Sequence, residues 1–286
     1  RQAKGQPLVN LIQLTEKERV TAMLIVKEEF KGQYLMMATK KGTIKKTKVE
    51  AFSNVRRSGL IAIKLRDKDS LEWVREVSEG NEVVIVTREG KSIRFKEDNV
   101  RDMGRASMGV RGIKLKGEDY VVEMDIALTQ EASLFVVMEN GLGKNSLITN
   151  YRLQSRGGTG VKTANVTSKT GKVAGAKILE KFYEGDAILI SKKGTIIRMN
   201  LKDIPTRGRS TQGVYLMRLK GKDHVSTLSI IRTDEIIKAT DEADDKKGEK
   251  KEPAKEKKEA VKKAASKKDA KKEDKNEETP EQPSLL

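Results

Sequence analysis

The sequence predicts an all-β fold built from a repeated unit of about fifty residues, and three observations carry that prediction. A glycine-containing turn, nearly always with arginine, recurs five times, with glycine steps of 54, 50, 51 and 53 residues between Gly5, Gly59, Gly109, Gly160 and Gly213. Short apolar runs ending in a glycine turn recur with the same spacing. A third apolar, alternating stretch follows each arginine turn. Self-similarity at a fixed period marks a repeat architecture. Runs of four to seven residues rich in Val, Ile, Leu and Met suit strands better than helices.

Taken in order, the first element is the arginine turn. Arginine stands four residues before glycine in Arg1/Gly5, Arg105/Gly109, Arg156/Gly160 and Arg209/Gly213, and Arg56 and Arg57 precede Gly59. The second is a hairpin. Its copies are Tyr34–Ala38 with Gly42, Val83–Val86 with Gly90, Leu134–Met138 with Gly141, and Ala187–Ile190 with Gly194. The turns read Lys-Lys-Gly, Arg-Glu-Gly, Glu-Asn-Gly and Lys-Lys-Gly, and glycine supplies the positive φ that such turns demand. The third is the stretch Val20–Val26, Leu71–Val77, Val121–Ile126, Val173–Leu179 and Val225–Ile231. Each repeat therefore holds about four short strands, the size of one blade of a radial β fold. A sandwich of unrelated hairpins would not keep three elements in one period.

Charge points to the partner. The chain has 59 Lys+Arg and 42 Asp+Glu, a net +17. The stretch from Asp241 to Leu286 holds 14 lysines and 14 acids, so the whole excess belongs to the repeats. A region this basic attracts polyanions, nucleic acid first. An anionic membrane or a ribosome-like partner fits the charge but does not explain the repeat. Aromatics are 4% of the chain, too few for base-stacking platforms, so contacts to duplex phosphates are expected. Arginine forks and lysines on turns can reach phosphate oxygens, and glycine there lets backbone N–H groups approach them. The expected contacts are Arg1, Lys4, Lys45, Lys46, Arg56, Arg57, Arg105, Arg111, Lys144, Arg156, Lys162, Arg207 and Arg209.

Catalytic and metal sites are not expected. There is no cysteine, which removes thiol and Cys-based zinc chemistry and agrees with a reducing compartment. The single histidine, His224, lacks partners for a triad or metal cluster and reads as structural. Gly141-Leu142-Gly143-Lys144-Asn145-Ser146 has Met138 and Asn145 where a phosphate loop needs glycine and Ser/Thr, so it reads as a hairpin. Trp73, in an alternating strand, reads as core. No cofactor is implied. No apolar run approaches the roughly 20 residues needed to cross a bilayer, and no signal peptide is visible. The repeats are expected over residues 1–238. Residues 239–286, Lys/Glu/Ala-rich with few apolar side chains, are expected to be a disordered charged tail. The sequence opens in mid-repeat, as a fragment beginning within a first blade would.

Several segments resemble the C-terminal domain of DNA gyrase A, a component of a type II topoisomerase. They include Gly5-Gln6-Pro7-Leu8-Val9-Asn10-Leu11, Ala38 to Thr47, Ile61-Ala62-Ile63-Lys64-Leu65, Arg94-Phe95-Lys96-Glu97, Met103-Gly104 with Gly109 to Leu115, and Asn140 to Lys144. The likeness runs over about residues 1–232. It implies a β-pinwheel, a six-bladed disc with strands exchanged between neighbouring blades, of which about five blades are present, the first incomplete. It further implies a non-catalytic domain that wraps duplex DNA without sequence preference around a basic perimeter with a positive-handed crossing. That domain would serve an A2B2 holoenzyme in the bacterial cytoplasm, at the nucleoid. Its partners would be the upstream breakage-reunion domain, which carries the catalytic tyrosine, and gyrase B. The family's Gln-Arg-Arg-Gly-Gly-Lys-Gly box has a degenerate counterpart in Gln154-Ser155-Arg156-Gly157-Gly158-Thr159-Gly160, so Gln154, Arg156, Gly157, Gly158 and Gly160 are expected at DNA. Two alternatives stay open: the corresponding C-terminal domain of topoisomerase IV, and a propeller-like module that binds an acidic protein.

Overall fold

The computed structural model describes residues 10, 18–24, 33–54, 56 and 58–233, and all but Thr233 belong to one unit, Arg1–Arg232. The tail expected over 239–286, and Arg1, Lys4 and Arg57, lie outside the described residues. No helix among the described residues is long and apolar enough to cross a membrane.

Among the described residues, fifteen strands form four antiparallel sheets. The first sheet holds the hairpin β1 (Tyr34–Thr39) and β2 (Thr43–Lys48), with β3 (Leu71–Val77) beside β1. The second holds β4 (Glu82–Thr87) and β5 (Lys91–Lys96), with β7 (Val121–Ala127) beside β4. The third holds β8 (Ser133–Met138) and β9 (Leu142–Leu147), with β11 (Val173–Leu179) beside β8. The fourth holds β12 (Gly185–Ser191) and β13 (Ile196–Asn200), with β15 (Val225–Arg232) beside β12. Three two-residue strands lie between these in sequence: β6 (Val110–Arg111), β10 (Val161–Lys162) and β14 (Val214–Tyr215).

These short strands are exchanged. β6 lies between β5 and β7 in sequence, yet pairs with β2 of the first sheet. In the same way β10 pairs with β5 and β14 with β9. The second, third and fourth repeats thus each lend a strand to the sheet before, as a pinwheel requires.

All four hairpins close alike. The tip glycines Gly42, Gly90, Gly141 and Gly194 have φ between +73° and +85°. Each donates its N–H to the carbonyl three residues back, as Gly42 does to Thr39 at 2.9 Å. In the first hairpin the Thr39 hydroxyl also accepts from the Thr43 N–H at 3.1 Å, and Thr87 and Ser191 repeat this bond. This is a type I turn followed by a left-handed residue, for which glycine is the unstrained choice.

The core lies between blades, which explains the unbroken apolar runs. In β4, Val83 and Ile85 pack with Met36, Ile44 and Phe95 on the side of the first sheet. Val84 and Val86 point the other way and pack with Leu134, Val136 and Met138. Along β8, Phe135 and Val137 face Ala187, Leu189 and Val225 of the fourth sheet. A strand buried on both faces shows no polar alternation. In β12, by contrast, buried and half-buried residues alternate.

The strands β3, β7, β11 and β15, hereafter the inner strands, each stand at one end of their sheet and lie side by side. Ion pairs join them. Arg75 of β3 reaches Glu123 at 2.8 Å and Asp125 at 3.0 Å on β7, and Lys177 of β11 reaches Glu123 at 3.0 Å. The expected strand Val20–Val26 is not formed over its described part, residues 20–24. A strand exists only by pairing, and no described segment pairs with it.

Candidate nucleic-acid interface

The arginine turns are built by docking onto the preceding blade. The N–H of the residue two before each arginine donates to the fourth residue of a hairpin's second strand: Met103 to Lys46 (2.9 Å), Gln154 to Arg94 (2.9 Å) and Arg207 to Asn145 (2.8 Å). The exchanged strand then pairs with the first two residues of that strand. Between these anchors the turn glycine sits flat on the neighbouring backbone. A Cβ on Gly109, Gly160 or Gly213 would lie 2.6, 2.3 or 2.4 Å from the carbonyl oxygen of Ile44, Ser92 or Gly143. All three have φ between +69° and +83°. The glycine at these three turns is therefore demanded by contact between blades.

Successive turns are bonded to one another in a fixed register. Lys64 N–H donates to the Ser107 carbonyl (3.0 Å), Lys114 to Gly158 (2.8 Å) and Asn165 to Thr211 (3.4 Å). Arginine side chains follow the same line. Arg156 donates to the carbonyls of Asn99 (2.8 Å) and Arg111 (3.3 Å), and Arg209 to that of Lys162 (2.7 Å). The turns thus form one continuous row across the blades. Along it Arg56, Arg111, Arg156, Lys162 and Arg207 are exposed, and Arg105 and Arg209 are half-exposed. The box glycines belong to this row: Gly157 donates to the Gly112 carbonyl at 2.6 Å and Gly158 accepts from Lys114. Half-buried Gln154 supplies a backbone anchor.

Three expected contacts are placed elsewhere. Lys45 and Lys144 are wholly buried and Lys46 nearly so. The Lys45 ammonium donates to the carbonyls of Ala62 (2.7 Å), Arg105 and Ser107 (3.3 Å). Lys144 donates to those of Gly208 (2.7 Å) and Arg209 (2.6 Å) and to the Thr211 hydroxyl (3.2 Å). Both lysines hold the next arginine turn from beneath. Burial first, and then the neighbouring arginine, lower both pKa values, Lys144 to about 8 with Arg209 beside it. Lys46 pairs with Glu97 at 2.5 Å and lies 4.8 Å from the Tyr34 ring. These ammonium groups have no free face for a phosphate.

A family model for the DNA gyrase C-terminal domain, a beta-propeller, matches residues 1–27, 33–78, 81–127, 133–180 and 185–232. The last four matches each take in one hairpin and its inner strand. The chain belongs to the DNA gyrase C-terminal domain family. It is 39% identical over 244 residues to the DNA gyrase A protein of Staphylococcus aureus strain MRSA252, and likewise 39% identical over 236 residues to that of strain NCTC 8325. The first alignment covers 85% of this chain and 27% of the relative, so the chain spans about a quarter of the relatives it matches. Among solved structures, a DNA gyrase A C-terminal domain superposes with a TM-score of 0.70 at 26% identity, covering 80% of this chain and 76% of the other. The C-terminal domain of DNA topoisomerase IV superposes at 0.74 over 80% of this chain and 71% of that one. Its 22% identity marks a shared fold.

One recurring element of these gyrase-family repeats is not foreseen from the sequence. Asp69, Asp119 and Asp223 each accept the N–H of a hairpin-tip residue, Lys41 (2.9 Å), Glu89 (3.0 Å) and Lys193 (3.1 Å). They lock the loops before β3, β7 and β15 onto the tips. A signal for them exists: Lys-Leu-Arg-Asp-Lys-Asp, Lys-Leu-Lys-Gly-Glu-Asp and Arg-Leu-Lys-Gly-Lys-Asp end in aspartate at 69, 119 and 223. His224 lies 3.3 Å from Asn140, Trp73 packs against the first inter-blade core, and Gly141 is a hairpin tip.

Proposed function

We propose that this chain is a non-catalytic DNA-wrapping domain of DNA gyrase A. Duplex DNA follows the row of arginine turns and is held by its phosphates, without base readout. The observation that carries this reading is the series of turn-to-turn bonds, which presents cations at the same phase of consecutive blades. A duplex tracking such a row must bend, at a cost on the order of 1–6 kcal/mol over a few tens of base pairs. Distributed phosphate contacts offset it. The contact set is Arg56, Arg105, Arg111, Arg156, Lys162, Arg207 and Arg209, with Arg1, Lys4 and Arg57 as members outside the described residues. In this reading the wrapped segment is handed to the breakage-reunion domain upstream. Gyrase B and ATP then drive its passage to introduce negative supercoils, in the bacterial cytoplasm.

Charge removal tests the assignment. Alanine at Arg105, Arg111, Arg156, Lys162 and Arg209 is expected to weaken duplex binding and to flatten the log–log salt dependence. Each lost phosphate contact removes about 0.9 from the slope. An unchanged slope would sink the assignment. The family's topoisomerase IV reading differs in predicting binding without strong wrapping.

A further inference from the structure

The outward position on the exchanged strands is not the same in every blade. Arg111 pairs with Thr43, Lys162 with Lys91 and Tyr215 with Leu142. Each partner directly follows a hairpin-tip glycine, so these three side chains occupy one structural position on the row of turns. Two are exposed cations. The third is a tyrosine that is 49% exposed, in a chain with only five tyrosines.

Tyr215 does not stand alone. The Arg218 guanidinium lies over its ring, 5.4 Å from the centroid. The pair forms one side of a groove of about 630 Å³, whose other walls include Lys169, Lys222, His224 and Asn140. Lys169, Arg218 and Lys222 are exposed. The one carboxylate in the lining, Asp223, is buried and accepts the N–H groups of Lys193 and His224. The groove therefore offers cations and an aromatic face together, and its acid is already engaged. A duplex presents phosphates but keeps its base faces stacked inside. Cations with an aromatic platform suit a strand whose bases are accessible.

We propose that this groove binds an unstacked nucleotide of single-stranded DNA, its base on the Tyr215 ring and its flanking phosphates on Lys169 and Lys222. The proposal rests on the row of turns being a DNA surface and adds a second kind of contact at its last described turn. It makes Tyr215 a point where a wrapped duplex that frays or carries a gap is held differently from an intact one.

The test compares wild-type chain with Tyr215→Phe, Tyr215→Ala and Lys222→Glu, against a short single-stranded oligonucleotide carrying a fluorescent adenine analogue and against intact duplex. Wild-type and Tyr215→Phe are expected to bind the single strand alike and to quench the analogue. Tyr215→Ala should lose about tenfold in single-strand affinity while duplex affinity and melting temperature hold. Photocrosslinking with halogenated uracil should place the adduct on Tyr215. Single-strand binding by Tyr215→Ala at wild-type strength, or crosslinks confined to other residues, would overturn the proposal. Should Tyr215→Ala unfold, Lys222→Glu decides: it should weaken single-strand binding several-fold, and no change would overturn the proposal too. Failure of the wild-type chain to bind duplex at all would instead strike the parent reading.

Discussion

At the scale of single residues, the same amino acid does different work according to what lies beside it. Gly160 and Gly59 fill corresponding turn positions and both have positive φ. A Cβ on Gly160 would strike the Ser92 carbonyl, whereas Gly59 has nothing within 4 Å among the described residues. Gly59→Ala should therefore cost about 1–2 kcal/mol, the left-handed strain alone. Gly160→Ala should cost several kcal/mol more, because the turn must lift off β5. Denaturant unfolding of the two variants checks this; equal losses would contradict it. Lysines show the same split. Lys144 has its pKa lowered to about 8 from an ordinary 10.5, so between those values the unfolded chain binds more protons than the folded one. Stability from this group accordingly rises with pH across about 8 to 10.5. Wild type should gain on Lys144→Met as pH climbs through that window, read from melting temperatures; a flat difference would refute the burial of the ammonium. Glycine's periodicity was legible, but its cause was not, since positive φ, phosphate approach and blade contact all ask for glycine. For the lysines a hint existed. The third residue after the hairpin glycine is Lys45, Ile93, Lys144 and Ile197, and a position shared by Lys and Ile points inward.

At the scale of elements, the hairpins and inner strands could be read directly because each is an apolar run bounded by turn residues. The exchanged strands could not, because two residues make no pattern. Their existence follows from geometry: the turn is anchored on both sides, and the intervening pair has no other place to bond. Inter-blade packing gives a directional expectation. Phe135 faces the fourth sheet and Val136 the second. Phe135→Ala should cost about 3–5 kcal/mol. Repeats couple mainly to neighbours, so hydrogen-exchange protection should fall in β11, β12 and β15 and stay near wild type in β1 and β2. Uniform loss across all four sheets would show that the blades are not separable units.

At the scale of the whole molecule, the fold turns a local rule into a surface. Each of the first three sheets borrows a strand from the next repeat, and every borrowed strand brings an arginine turn to the same edge. That is why a +17 excess confined to the repeats becomes an ordered row of cations and not a diffuse charge. Membership of the gyrase family was legible from short segments such as Ala38 to Thr47. Which cations are exposed was not, because burial depends on distant partners, as with Lys45 and Arg105, 60 residues apart. The central claim is that this row bends duplex DNA with one hand. The most direct measurement seals nicked circular DNA in the presence of increasing protein and resolves the topoisomers after the protein is removed. The account predicts a progressive shift to positive linking difference that is lost when Arg105, Arg111, Arg156, Lys162 and Arg209 become alanine. Tight binding with no change in linking number would contradict it.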